Sequence, residues 1–112
     1  MEITAIQRSG ATIIQIVGSL DTLTSDEAQT FFDELFKTDQ VHLAADLSQV
    51  EYLSSAGLRV LLSALKNARR RSGDLYLAGL QENVQQVLEL AGFTSIFKIF
   101  PTIEAAIGAF TP

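Results

Sequence analysis

A chain of 112 residues, 47% apolar and 19% charged, is large enough to bury one core, is too short for a second, and has a composition that argues against disorder. It has no cysteine, which excludes disulfides, thiolate metal sites and thiol catalysis, and it has neither a bilayer-length apolar run nor a signal-peptide core in residues 1–10. The net charge is −5, yet nine of the thirteen acids precede Ser54 while five of the eight Lys and Arg lie between Arg59 and Arg71, so the chain is expected to be cytoplasmic and to meet a protein rather than nucleic acid or a membrane interior.

The first elements read as a β-hairpin. Glu2–Gln7 and Ala11–Val17 have strand composition, and Ser9-Gly10 between them is a turn. GSLDTLTSDEAQ then forms a loop and a helix start, with Thr24 and Glu27 at capping-box spacing. Ala28, Phe31, Phe32, Leu35 and Phe36 recur at helical period, which predicts a first helix over Ser25–Lys37 with one buried face.

The apolar run Val41–Leu47 predicts the third strand, and Ser48–Leu58 a polar corner after it. A long amphipathic helix follows, with Leu58, Leu61, Leu62, Leu65 and Ala68 on one stripe and Arg59, Ser63, Lys66 and Arg70 on the other. Ser72-Gly73-Asp74 ends it. Leu75–Ala78 is a strand; Val84, Val87, Leu88 and Ala91 make a third helix closed by Gly92; Ile96–Phe100 is strand-like; and Ile103, Ala106, Ile107 and Phe110 give a short last helix after Pro101-Thr102. Strands that alternate with helices predict an α/β domain with a mostly parallel sheet, its helices mainly on one side. Partner surfaces of such sheets lie beyond the carboxyl ends of the strands, where the loops Gly18–Thr24 and Ser48–Ser55 should be neighbours.

The corner carries the chemistry. Two adjacent hydroxyls, Ser54 and Ser55, precede Ala56 and Gly57 and a helix that begins at once, so one serine should cap the helix with its side chain at the helix mouth. The positive end of the helix dipole there tolerates an anion, including a phosphate on the serine. Gly57 is expected to clear space for an approaching surface.

The segments GSLD, VHLAADLS, YLSSAGLRVLL, LYLAGL and AGFTSIFKIFPTIEAAI together resemble the STAS domain family of anti-sigma factor antagonists, over essentially the whole chain, residues 1–112 as one domain. The resemblance implies a small α/β fold and a serine, phosphorylated by an anti-sigma factor that is also a serine kinase and restored by a serine phosphatase. Aligned on Gly57-Leu58, the family's Asp-Ser-(Ser/Thr)-Gly-Leu places that serine on Ser55. Its preceding aspartate falls on Ser54, a departure that makes Ser54 a rival site. Asp21 matches the acid of the family's partner-binding loop and Asp46 the acid after its third strand. The implied partner surface comprises Asp21, Thr22, Asp46, Ser54, Ser55, Gly57 and Arg59, with no cofactor, metal or catalytic residue.

Plainer readings accompany these. Ser54 and Ser55 can be a cap and nothing more, Asp21 and Asp46 can be turn residues bonded to backbone N–H groups, and the Arg69–Arg71 run can be a solvated helix end. One histidine without cysteine makes a poor metal site, and an enzyme would have to pair Ser55 as nucleophile with His42 as base. A STAS subunit of a transporter or signalling complex that is never phosphorylated is the alternative role, favoured by the missing aspartate. The edge strand Glu2–Gln7 would permit a homodimer.

Overall fold

The structure, a computed structural model, describes residues 1–110. Strands β1 (Glu2–Arg8) and β2 (Ala11–Leu20) form the antiparallel hairpin. Its turn is made by Ser9 and Gly10, both at positive φ (53° and 82°). Strands β3 (His42–Leu53), β4 (Asp74–Ala78) and β5 (Lys98–Phe100) add in parallel, so the sheet order is the sequence order β1-β2-β3-β4-β5.

Helices α1 (Ser25–Leu35), α2 (Ser55–Arg70) and α3 (Glu82–Leu90) connect the parallel strands and cover one face of the sheet. The alternation of side chains along a strand explains the split. Ile14, Ile16, Leu43, Ala45, Leu47, Leu75 and Leu77 meet Phe32, Leu61, Leu65, Val84 and Leu88 in the main core. Ala44, Tyr76 and Ala78 point the other way, onto helix α4 (Ile103–Phe110), where the Tyr76 and Phe110 rings stack with centroids 3.9 Å apart. Three of the described helices therefore lie on one side and the last on the other. No helix among the described residues is long and apolar enough to cross a membrane.

Five expectations need correction. The third strand does not stop at Leu47: it continues to Leu53 and pairs with β2, which itself continues past Val17 to Leu20. Residues 48–53 mix Ser48, Gln49 and Glu51 with Val50, Tyr52 and Leu53: β4 ends opposite Asp46, so beyond that point β3 is paired on one side only. Two register shifts against β2 also break the two-residue period there, leaving Leu47, Val50 and Leu53 buried at every third position. The edge that β4 leaves open is closed by side chains of α3 and its cap: Gln81 Nε2 donates to Ser48 O at 3.0 Å and Asn83 Nδ2 to Glu51 O at 2.6 Å.

The first helix ends at Leu35 rather than Lys37, with Phe36 as its C-cap. The Thr24–Glu27 capping box does not form, because the Thr24 hydroxyl donates to Ser19 O (2.8 Å) and accepts from the Asp21 N–H (3.0 Å). The fifth strand starts at Lys98; Ile96 and Phe97 instead donate their N–H groups to Phe93 O in a turn, each at 3.1 Å. At the end of α2 the left-handed residue is Ser72 (φ 65°), not Gly73, with Gly73 N–H reaching Ala68 O at 2.8 Å. Gly73 is required for another reason: a Cβ there would run into the Val41 carbonyl.

Candidate functional site

The end of β2 builds the corner. Leu20 is fully buried, and its carbonyl accepts the Ser54 N–H at 3.0 Å. The chain then turns into α2 with Ser54 extended (φ −92°, ψ 173°), the geometry of an N-cap. Ser54 Oγ accepts the Gly57 N–H at 3.2 Å, and its carbonyl accepts the Leu58 N–H at 2.8 Å. One orphan donor of the helix mouth is thereby satisfied.

The two serines thus have different surroundings. Ser54 is half-buried and its oxygen holds the helix start. Ser55, the first helical residue, is exposed, and its hydroxyl has no hydrogen-bond partner among the described residues.

Gly57 is buried, not on the surface. A Cβ at this position would collide with the Leu20 carbonyl and lie 2.8 Å from Leu20 Cγ. The space it clears is internal: it lets α2 descend onto the end of β2, and the expectation that it admits an approaching surface is corrected accordingly.

The neighbouring loop is built around Asp21. Its carboxylate accepts the N–H groups of Leu23 (3.0 Å) and Thr24 (3.2 Å), and its carbonyl that of Ser25 (2.8 Å). This is the hydrogen-bonding of an aspartate that shapes a turn. Thr22 is exposed at the tip, next to Leu23, which is 92% exposed. The loop and the corner are neighbours because Ser19 pairs with Tyr52 and Leu20 with Leu53.

Asp46 stands apart. It lies inside β3, between Gln15 and Ala78, half-buried, and its carboxylate accepts the N–H of Ser48 at 3.0 Å. The strand Leu47–Leu53 separates it from Ser54, so Asp46 does not follow the third strand and is not part of the corner.

Arg59 is exposed one turn beyond Ser55 and lines a shallow groove of about 300 Å³ with Ser25, Asp26, Gln29, Ala56 and Val60, between α1 and α2. His42 is exposed at the start of β3, its ring 5.4 Å from that of Phe110, at the opposite end of the twelve-residue strand from Ser55. A Ser55–His42 couple does not exist.

Two surface residues beside the corner escaped the sequence reading: Leu23 and Tyr52, the latter 53% exposed. Large apolar side chains left in water next to one another's loops are features of docking surfaces. The signal for Leu23 was available, since it is a lone apolar residue in a polar loop. Tyr52 carries no such signal, because the mixed sequence of residues 48–53 does not show the period of a strand.

The model of the STAS domain family matches residues 2–106. The chain belongs to the STAS domain family. A Bordetella bronchiseptica protein named as an anti-sigma factor antagonist, BtrV, is 32% identical to this STAS domain over 110 residues, 98% of this chain and 95% of its own. An anti-sigma F factor antagonist of Paenibacillus polymyxa is 28% identical over 103 residues, 91% of this chain and 86% of its own. A crystal structure from Thermotoga maritima, described as that of an anti-sigma factor antagonist, superposes with a TM-score of 0.86 at 26% identity, over 96% of this STAS domain and 92% of that chain.

Proposed function

We propose that this STAS domain is an anti-sigma factor antagonist that works as a binding switch centred on Ser55. Unmodified, the surface made by Asp21, Thr22, Leu23, Tyr52, Ser54, Ser55 and Arg59 docks on an anti-sigma factor that is also a serine kinase and sequesters it. In the reaction with that partner, Ser55 Oγ forms a bond to the γ-phosphorus of a bound nucleoside triphosphate and the diphosphate leaves. The hydroxyl proton goes to a base of the kinase. A serine phosphatase restores the hydroxyl.

The observation that carries this reading is the division of labour at the helix start. Ser54 is committed to the cap, while Ser55 is exposed, has no hydrogen bond among the described residues and is reachable without unfolding. That favours Ser55 over Ser54 as the modified residue. A phosphate adds a charge of about −1.5 to −2 at neutral pH. At the first turn of α2 it is compatible with the helix dipole, but in a docked interface it brings desolvation and crowding. Release without unfolding is the result.

The test is fragmentation mass spectrometry across Glu51–Arg59 on protein from its native cells, with binding of the copurified partner to Ser55→Ala and Ser55→Asp. Phosphate on Ser55 and loss of binding only in Ser55→Asp are expected. If Ser55→Asp binds as tightly as the unaltered protein, the switch is wrong. The second reading, an unphosphorylated STAS subunit of a transporter or signalling complex, is favoured by Ser54 standing where the family has aspartate; Ser55 unmodified under every growth condition would support it.

A further inference from the structure

The basic cluster of α2 divides into two sets. Arg69 and Arg71 are used inside the molecule: Arg69 pairs with Asp74 (3.1 Å) and donates to Ile96 O (2.9 Å), and Arg71 donates to Phe36 O (2.7 Å) and Thr38 O (3.0 Å). Arg59, Lys66 and Arg70 are different. They are exposed and have neither an ion pair nor a hydrogen bond among the described residues. With Leu62 and Ser63 they line a groove of about 240 Å³ on the outward face of the helix.

Their spacing, seven and then four residues, keeps the three charges on one face, a strip roughly 17 Å long at 1.5 Å per residue. Half-buried Leu62 supplies an apolar floor. In a chain with 13 acids against 8 Lys and Arg, three neighbouring cations have no ion pair among the described residues, and no acid lines their groove; Asp26 borders only Arg59, from the adjoining groove between α1 and α2.

We infer that this strip is a docking surface for an acidic amphipathic segment of a protein partner, with carboxylates meeting Arg59, Lys66 and Arg70 and an apolar side chain over Leu62. Charge complementarity selects the occupant. The net charge of −5 opposes the approach of a nucleic acid. A lipid surface lacks its usual anchor, since the large exposed apolar residues Ile6, Leu23, Tyr52 and Leu90 all lie outside the strip. The inference does not depend on modification of Ser55 and would hold equally for a subunit that is never phosphorylated.

The test uses the full chain, ¹⁵N-labelled, titrated with a synthetic helical peptide bearing Glu and Leu on one face. Amide shifts confined to residues 59–70 are expected, with affinity falling as sodium chloride rises from about 0.05 to about 0.3 M, because exposed charges are screened. The triple variant Arg59→Gln, Lys66→Gln, Arg70→Gln should bind at least ~10-fold more weakly with an unchanged circular dichroism spectrum. Arg8→Gln and Lys37→Gln, which remove exposed cations elsewhere, should bind as the unaltered protein does. No binding at low salt, shifts centred outside α2, an equal loss in the Arg8 and Lys37 variants, or tighter binding of single-stranded RNA or phosphatidylglycerol vesicles would each overturn it. The salt series on unaltered protein decides the matter should the triple variant fold poorly.

Discussion

Ser54 and Ser55 are one position apart and chemically identical, yet substitution should separate them. Ser54→Ala removes the oxygen that accepts the Gly57 N–H and is expected to lower unfolding free energy by about 1 kcal/mol. Ser55→Ala removes an exposed, unbonded hydroxyl and should stay within about 0.5 kcal/mol of the parent. Urea denaturation of both variants checks this, and equal losses would mean that Ser55 shares the cap. Gly57→Ala places a methyl group against the Leu20 carbonyl and should cost on the order of 2 kcal/mol, since backbone cannot yield as a side chain does. Ser72→Gly should do the opposite. Ser72 sits at φ 65°, where any Cβ is strained, so a gain of about 0.5 kcal/mol in the same assay is expected. At this scale the sequence disclosed that two hydroxyls meet a helix start, but not which one caps it. A boundary read from periodicity is uncertain by more than the single residue that separates them.

The helix faces were legible in advance and the ends of the strands were not, for a reason visible in β3. Between Leu43 and Ala45 the strand is paired on both sides and covered on both faces, so its residues are apolar and declare themselves. From Leu47 to Leu53 it has one strand neighbour, two register shifts and buried apolar residues only at every third position. No two-residue alternation survives there to be read. The loop after β2 taught a similar lesson: capping-box spacing was present at Thr24 and Glu27, but the Asp21 carboxylate had already taken the Thr24 N–H. That bond makes a prediction about the loop. Asp21→Ala should lose about 1 kcal/mol in urea titration, and Asp21→Asn, which keeps an acceptor oxygen, should recover most of it. A full loss in Asp21→Asn would show that charge, rather than turn geometry, holds the loop.

Across the molecule, the hairpin edge and the sheet centre differ in how much covers them. The centre of β3 has helices on both faces and strands on both sides, whereas β1 has one neighbour and, apart from Ile3, little contact with the core. Native-state hydrogen exchange should therefore find its slowest amides in Leu43–Asp46 and its fastest strand amides in β1. Protection of β1 matching that of β3 would point to a second chain on that edge, the homodimer that an open strand permits. The placement of α4 on the far face could not be read from its own residues. Ile103, Ala106, Ile107 and Phe110 give the helix one apolar stripe, which would fit either side of the sheet; the choice is made by Ala44 and Ala78, small enough on that face to leave room for the stacked Tyr76 and Phe110 rings.

The Leu20 carbonyl has a consequence for how such proteins can diversify. It fixes the start of α2 through the Ser54 N–H and by contact with Gly57, and neither restraint involves the residues at the tip of the preceding loop. Thr22 and Leu23 can therefore vary, even in shape and charge, while Ser55 keeps its address. A lineage could in this way change whom it meets without relearning how the encounter is ended, and a designer could graft new loop tips onto this frame as interchangeable heads on one fixed trigger.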